Sequence, residues 1–219
     1  MGIARLFSLG GVVMWPLLGA SILVMTLMLE RTLFWFKVSR QQDQLIRNSL
    51  KLYAREPHAA IAQLQKHTHL PLPRIFLAAL TLDEATPDEF RLALESAAQA
   101  EMPLLKRFNT LFETVVGVAP LLGLLGTILG LIGALSSLEF GDIGGEQATG
   151  VTSGIGEALY STAFGLVVAM LTLLFANLFQ GLYRRQRAAI EEYAGRLEIL
   201  YRRSYRRYQA QMRDRRPYG

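Results

Sequence analysis

The 219-residue chain contains no cysteine, which excludes disulfide bonds, thiol catalysis and cysteine-ligated metal sites. Its three histidines, His58, His67 and His69, have no clustered carboxylates beside them, so we expect solvated side chains and no metal site. Glycine-rich phosphate loops, nucleophile elbows and HExxH motifs are also absent. These absences predict no catalytic residue, no cofactor and no enzymatic activity.

Three apolar runs occupy residues 12–36, 115–135 and 155–179, and each approaches the ~20 residues that a helix needs to cross a bilayer. The mean hydropathy of +0.25 is high for a soluble domain. The first run contains Pro16 and ends in aromatic and basic residues without a small-residue cleavage site, so we expect a retained anchor rather than a signal peptide. The sequence therefore predicts an all-α integral membrane protein with three transmembrane helices.

Lysine and arginine are missing from residues 138–153, which carry only the acids Glu139, Asp142 and Glu146. Ten Lys and Arg residues lie in 37–107 and eleven in 184–219. Because positively charged segments stay on the cytoplasmic side, we expect the N-terminus outside and the C-terminus inside. The expected segments are an outer N-terminus with the first span (1–36), a cytoplasmic helical region (37–107), the second span (108–137), an outer loop (138–153), the third span (154–182) and a basic cytoplasmic helical tail (183–219).

The basic tail, which includes YRRSYRRY at 201–208, is interpreted as a topology signal that also attracts anionic lipids. The alternative is a nucleic-acid-binding patch, which the net charge of +5 alone would allow. Because the positive charge follows the expected topology, we expect contacts with anionic lipids and none with nucleic acid.

Between the first and second spans the residue pattern is helical, without strand alternation. We expect helices at 41–55 and 59–66, and no regular helix interior at 67–73, where two prolines occur. Pro87, followed by two acids, predicts the start of a helix that runs into the second span with a kink at Pro103. The third span is likewise expected to continue toward the C-terminus, so two spans have long cytoplasmic helical extensions.

Glycine weakens a helix in water, yet the second span contains Gly123, Gly126, Gly130 and Gly133. In lipid, helices associate through close backbone approach, which small residues permit. The third span repeats small residues at four-residue spacing. The sequence therefore predicts helix packing through Gly123, Gly126, Gly130, Ser161, Gly165 and Ala169.

Three polar residues within the spans are functional candidates: Thr127, Thr162 and Glu157. A lone threonine in a membrane helix usually donates to a carbonyl one turn earlier, whereas two threonines beside small residues suit a narrow polar lining. Glu157 is the only acid of the third span, and an intramembrane acid is a functional candidate by default. The alternative is that Glu157 lies near the outer boundary and contacts headgroups.

Other polar residues are expected at the membrane boundaries. Glu30 and Arg31 form an adjacent acid and base, interpreted either as an interfacial pair that reaches water or as a contact with a neighbouring subunit. Glu113 lies where the second span meets the cytoplasm and is expected to be interfacial.

APLLGLLGTILGLIGAL at 119–135, followed by GIGEALYSTAFGLVVAM at 154–170, resembles the motif pair of the MotA/TolQ/ExbB proton channel family. The segments WPLL, LERTLFW and EMPLLKRFNTL fit the same family, and the likeness covers nearly the whole chain. The resemblance implies a multi-pass subunit of a bacterial inner membrane, with a periplasmic N-terminus and loop. It also implies a homo-oligomeric ring of five around the single membrane helices of a dimeric ExbD- or TolR-like partner.

The resemblance further assigns roles to residues of this chain. Thr127 and Thr162 match the two threonines that face the proton-carrying aspartate of the partner. Glu157 matches the acid of the third span, and Asn177 matches an asparagine of ExbB and TolQ. Three spans favour the ExbB/TolQ branch over the MotA branch, although the proline usual in ExbB and TolQ after GLVVAM is missing here. No span contains an aspartate, so this chain alone makes a poor proton pathway.

The function implied by the resemblance is a proton-channel subunit that uses the proton motive force to drive TonB-dependent outer-membrane import, with a TonB-like protein as a further partner. A TolQ-like role in envelope maintenance, or in another motor, is the alternative within the family. A membrane scaffold that conducts no protons is the alternative of a different class.

Overall fold

The computed structural model describes residues 11–136 and 145–214, with side chains described for 11–136 and 151–212. The expectations for the N-terminus before residue 11, for Glu139 and Asp142, and for the side chain of Glu146 lie outside the described residues. Six helices make up the described chain: α1 (Met14–Tyr53), α2 (Pro57–Gln65), α3 (Pro71–Leu80), α4 (Pro87–Leu105), α5 (Asn109–Ser136) and α6 (Gly145–Asp214).

The described residues contain helices and no strand, so the predicted all-α fold is confirmed. Three helical stretches, in α1, α5 and α6, are long and apolar enough to cross a membrane. The described part of the chain therefore has three helices that could span a membrane, as the sequence predicts.

Contacts divide the chain into two compact units, which are described separately. The first unit contains residues 1–31 and 108–179, and the second contains residues 32–107 and 180–219. The first unit thus holds α5 with parts of α1 and α6, whereas the second holds α2, α3 and α4 with the remaining parts of α1 and α6.

The first unit has a small apolar core where α5, α6 and the beginning of α1 meet. Its buried members are Val13, Met14, Leu17, Ala119, Val168 and Ala169, with Val115, Leu122 and Phe164 packed against them. Many other large apolar side chains point outward, and Leu121, Leu135 and Leu174 are 63%, 68% and 66% exposed. A broad exposed apolar surface of this kind is suited to lipid or to neighbouring subunits.

The second unit buries apolar side chains of α3 and α4 together with others from α1 and α6. Its fully buried side chains include Ile46, Leu72, Phe76, Phe90, Ile190 and Leu197. Phe90 stacks on Tyr201 with ring centroids 3.9 Å apart, and the Tyr201 hydroxyl donates to the carbonyl of Ala85 at 2.6 Å. These contacts attach α6 to α4 and to the segment that precedes it.

The prolines at 71 and 73 lie in the first turn of α3, so no helix interior runs through residues 67–73, as expected. The first amides of a helix have no carbonyl partner within it, so a proline there removes no hydrogen bond. Proline also supplies the backbone angle that a helix requires. Both prolines are buried against the rest of the second unit.

Pro87 begins α4, as predicted, and the helix start is closed by a reciprocal pair of hydrogen bonds between Thr86 and Glu89. The expected continuous helix with a kink at Pro103 is wrong. Pro103 lies within the last turn of α4, and the helix ends after Leu105. Phe108 then adopts a left-handed backbone conformation, with φ of +68°, before α5 begins at Asn109. A left-handed residue after the last turn is a common way to end a helix.

Two further expectations concern helix length. The helix expected at 41–55 is not separate, because it is the end of α1. The predicted continuation of the third span is confirmed, since α6 runs unbroken from Gly145 to Asp214.

Candidate functional site

The contact between α5 and α6 is built on glycine. A Cβ added at Gly123 would lie 3.0 Å from the carbonyl oxygen of Ser161, and one at Gly130 would lie 2.9 Å from that of Gly154. A Cβ at Gly165 would lie 2.5 Å from the carbonyl oxygen of Ala119. At each position a neighbouring backbone occupies the space of a side chain, so glycine permits the close approach of the two helices.

Ser161 lies at the centre of this contact and is fully buried. Its hydroxyl faces Gly126, where a Cβ would overlap it. The hydroxyl Oγ is 2.9 Å from the carbonyl of Ala158 and 3.3 Å from that of Gly123. Ala169 belongs to the apolar core, whereas a Cβ at Gly133 would meet no atom within 4 Å.

Thr162 and Thr127 both donate their hydroxyl hydrogens to backbone carbonyls of α5. Thr162 Oγ1 donates across the helix contact to Gly123 at 3.1 Å, and Thr127 Oγ1 donates to Leu124 at 2.6 Å. Gly123 and Thr127 are one helical turn apart, so the structure brings the Thr162 hydroxyl to the turn of α5 that carries Thr127. Both threonines are half-buried. With each hydrogen engaged, their oxygens retain lone pairs that can accept a hydrogen bond.

Glu157 is not brought together with the threonines. Its carboxylate packs against Gly11, where an added Cβ would overlap it, and Gly11 has a φ of +68°. No hydrogen bond among the described residues joins Glu157 to Thr127 or Thr162. Glu157 lies twelve residues after the first residue of α6 and is half-buried.

The boundary residues differ in their surroundings. Arg31 is only 2% exposed, and its guanidinium carbon lies 5.3 Å from the ring centroid of Phe108. Its Nε is 3.6 Å from a carboxylate oxygen of the more exposed Glu30. Glu113 accepts a hydrogen bond from Asn109 at 2.7 Å. Asn177 is exposed on α6.

Sequence reasoning missed Thr172, whose side chain is fully buried and donates to the carbonyl of Val168 at 2.6 Å. It also missed the ion pair of Arg74 with Glu101 in the second unit. Neither had a local signal, because burial of these side chains depends on residues distant in sequence. Within the described part of the chain, no group of three or more histidines and carboxylates could hold a metal ion.

Comparison with known proteins gives one family. The model of the MotA/TolQ/ExbB proton channel family matches residues 67–192, which include the contact between α5 and α6. The putative biopolymer transport protein ExbB-like 3 of Synechocystis sp. is 57% identical over 194 residues, which are 89% of this chain and 92% of the relative.

Two further relatives carry related names. The putative biopolymer transport protein ExbB-like 1 of Synechocystis sp. is 41% identical over 90% of this chain and 78% of its own length. The biopolymer transport protein ExbB of Xanthomonas campestris pv. campestris is 40% identical over 87 residues, which are 40% of this chain and 34% of the relative.

Proposed function

This chain belongs to the MotA/TolQ/ExbB proton channel family, and on that premise we propose that it is a stator-type proton-channel subunit of a bacterial inner-membrane complex. Its partner is an ExbD/TolR-like protein with one span, and the complex uses the proton motive force to drive TonB-dependent outer-membrane import. The chain acts as a homo-oligomer, with a pentamer as the proposed ring. Its N-terminus is periplasmic and its C-terminus cytoplasmic, in accord with the charge distribution.

The observation that carries this proposal is the hydrogen bonding of the two threonine hydroxyls. Both hydrogens are donated to backbone carbonyls, so Thr127 and Thr162 offer acceptor oxygens only. An acceptor stabilises a protonated carboxyl group, which donates a hydrogen bond, and does not stabilise a carboxylate, which cannot donate. The threonines therefore suit the passage of a neutral, proton-loaded acid through the apolar part of the membrane.

The acid itself must come from another chain. The spans contain no aspartate, and the carboxylate of Glu157 packs against Gly11 rather than beside the threonines. A partner aspartate can take up a proton on the periplasmic side, pass Thr127 and Thr162 in its neutral form, and release the proton on the cytoplasmic side. Crossing in the neutral form avoids the high free energy of a charge in hydrocarbon.

Proton conduction tests the proposal directly. Proteoliposomes that contain this protein alone are expected not to acidify under an imposed potential, whereas those that also contain the partner acidify. A pH-sensitive dye inside the proteoliposomes measures the acidification of both preparations. Conduction by the lone protein would contradict the role of the partner acid, and absence of conduction from the assembled complex would favour the scaffold.

A second arm of the same experiment uses Thr162→Val in the complex. The valine keeps the shape of threonine, and the Gly123 carbonyl keeps Ser161 as a side-chain neighbour at 3.3 Å, so assembly is retained. Proton conduction should fall at least about tenfold if the acceptor oxygen contributes a hydrogen bond to the passing acid. Thr172→Val, a buried change on the same helix, is the matched control and should conduct normally.

A further inference from the structure

A groove of about 400 Å³ lies between α1 and α6 within the second unit. One wall comes from residues 35–47 of α1 and the other from residues 182–196 of α6. Trp35 and Val38 supply apolar surface from α1, and Leu182 supplies it from α6. Apart from Ala188 and Ala189, the remainder of the lining is polar or charged, so the groove is amphipathic.

Two buried hydrogen-bond donors in this lining have no partner. Trp35 is 4% exposed and Gln186 is 6% exposed. Their nitrogen atoms, Trp35 Nε1 and Gln186 Nε2, make no hydrogen bond within the described structure. Buried polar groups are normally paired, because an unpaired one loses its hydration without replacement. Both atoms are donors only, so the missing partner must be an acceptor.

A chain of hydrogen bonds fixes which end of Gln186 is free. The backbone amide of Leu72 donates to Gln42 Oε1 at 3.3 Å, which leaves the Gln42 amide nitrogen to donate to Gln186 Oε1 at 3.0 Å. The backbone amide can only donate, so the orientation of both glutamines follows from it. The unpaired end of Gln186 is therefore its NH2 group.

The charges of the groove also favour an anion. Its lining contains three arginines, Arg47, Arg185 and Arg196, and two acids, Asp43 and Glu192. Arg196 is paired with Glu192 at 2.6 Å, and Arg47 donates to the backbone carbonyl of Asp43 at 3.2 Å. Arg185 is exposed and has no partner among the described side chains. The lining carries one net positive charge.

The position of the groove in the sequence identifies the source of the anion. Trp35 is the penultimate residue of the first apolar run, and Leu182 follows the end of the third run by three residues. Tryptophan at the end of a membrane span typically lies at the level of the lipid headgroups. Phosphate groups and acyl chains are both present at that depth, which matches an amphipathic groove.

We propose that this groove is a binding site for the phosphate group of an anionic phospholipid. The phosphate oxygens accept hydrogen bonds from Trp35 and Gln186 and pair with Arg185, while an acyl chain covers Val38 and Leu182. A lipid with one net negative charge is preferred to a zwitterionic lipid, because the groove carries one net positive charge. This site differs from a general attraction of lipid to the basic tail, since it requires buried donors.

The two tryptophans of the chain allow a direct test. Trp15, the other one, is 71% exposed in the first unit, so Trp15→Phe leaves Trp35 as the sole reporter. The full-length variant, purified in a neutral detergent, is titrated with short-chain phosphatidylglycerol, with short-chain phosphatidylcholine and with inorganic phosphate. Phosphatidylglycerol is expected to shift the Trp35 emission saturably, whereas the other two are not. An equal shift with inorganic phosphate would overturn the lipid as the source, and an equal shift with phosphatidylcholine would overturn the charge preference.

Adjacent arginines provide the matched variants. Arg185→Gln should weaken the binding of phosphatidylglycerol by about tenfold, because a charge-assisted hydrogen bond is lost. Arg184→Gln removes the same charge from the neighbouring exposed position outside the groove lining and should leave binding unchanged. Gln186→Glu should abolish the binding of phosphatidylglycerol, because it places a second anion beside the phosphate. If this buried substitution unfolds the protein, the exposed substitution Arg185→Gln still tests the site.

Two outcomes would overturn the site. Equal effects of Arg185→Gln and Arg184→Gln would show that only the general positive charge matters. A lipid-independent change of Trp35 emission that follows protein concentration would show that a second copy of this chain supplies the acceptor instead.

Discussion

Two arginine–glutamate ion pairs in this protein differ in how much they are expected to stabilise the fold. Arg74 binds Glu101 through two parallel hydrogen bonds of 2.7 and 2.5 Å, and this carboxylate raises the pKa of the guanidinium. Glu101 is 8% exposed, so Arg74 rather than water supplies its hydrogen bonds. Arg91 forms a similar single contact of 2.7 Å with Glu95, but both side chains are more than half exposed. The two pairs have similar distances and differ in burial, which decides how much each stabilises the protein.

Arg74→Ala is therefore expected to lower the free energy of unfolding by about 2 kcal/mol, because it leaves a buried carboxylate without a partner. The value lies below that of a fully buried pair, since the Arg74 side chain is 37% exposed. Arg91→Ala is the control and should leave the free energy of unfolding nearly unchanged, because an exposed ion pair is screened by water. Thermal unfolding of the purified variants measures both, and equal effects would contradict the role assigned to burial.

At the scale of helices, the contact between α5 and α6 depends on small residues only where backbones meet. Gly165 faces the carbonyl oxygen of Ala119, whereas Gly156, on the same helix, has no neighbour within 4 Å of an added Cβ. Gly165→Ala is expected to force the helices apart and to lower stability by about 1–3 kcal/mol. Gly156→Ala should be neutral or slightly stabilising, because alanine favours helix. Unfolding of both variants in detergent is the measurement, and a neutral Gly165→Ala would show that the helices are less closely packed.

The hydrogen bonds at the start of α4 make a pH-dependent contribution to the stability of the folded protein. A hydrogen bond from the Thr86 backbone amide, at 2.7 Å, and a second from its hydroxyl, at 2.8 Å, hold the pKa of Glu89 below its ordinary value of 4.5. Because the folded pKa is lowered, the stabilisation is present above pH 4.5 and is lost as the pH falls through the folded value. Glu89→Gln should therefore be less stable than the unmodified protein at pH 7, and the difference should shrink at pH 3. Thermal unfolding at the two pH values tests this, and a difference independent of pH would contradict it.

The sequence predicted the elements that depend on local chemistry. Pro87 with its following acids marked the start of α4, and the helical pattern after residue 182 marked the continuation of α6. It failed where tertiary contacts decide: the helix that starts at Pro87 was expected to continue through Pro103 into the second span, whereas it ends after Leu105 and is followed by the left-handed Phe108. The sequence around Pro103 gives no sign that the helix ends two residues later, at Leu105.

The candidate site was predictable in composition but not in geometry. The glycines and threonines of α5 and α6 stood out in the sequence because they interrupt apolar runs. The acceptors of their hydrogen bonds could not be predicted from the sequence, since the carbonyl that accepts from Thr162 belongs to Gly123, 39 residues earlier. The hydrogen bond between Gln42 and Gln186 spans 144 residues and was likewise invisible from the sequence.

For the whole molecule, the absence of cysteine makes the membrane orientation testable with single thiols. Glu139→Cys, in the acidic segment, is expected to react with a membrane-impermeant maleimide added to spheroplasts. Gln99→Cys, on an exposed position of α4, should react only after the membrane is permeabilised. The opposite pattern would reverse the proposed orientation, and labelling of both residues in sealed spheroplasts would contradict three spans.

The stacking of Tyr201 on Phe90 has a consequence for the end of α6. Beyond Tyr201 the helix continues to Asp214, yet residues 206–212 are all exposed. After Tyr201, the side chains of Arg203, Arg206 and Arg207 have no ion-pair partner among the described side chains. A helix of about 13 residues that packs against nothing is only marginally stable in water. The aromatic stack and the ion pair of Arg202 with Asp88 at 3.2 Å thus hold α6 just before this exposed stretch, and trypsin should shorten the protein from this end while the core of the second unit stays intact.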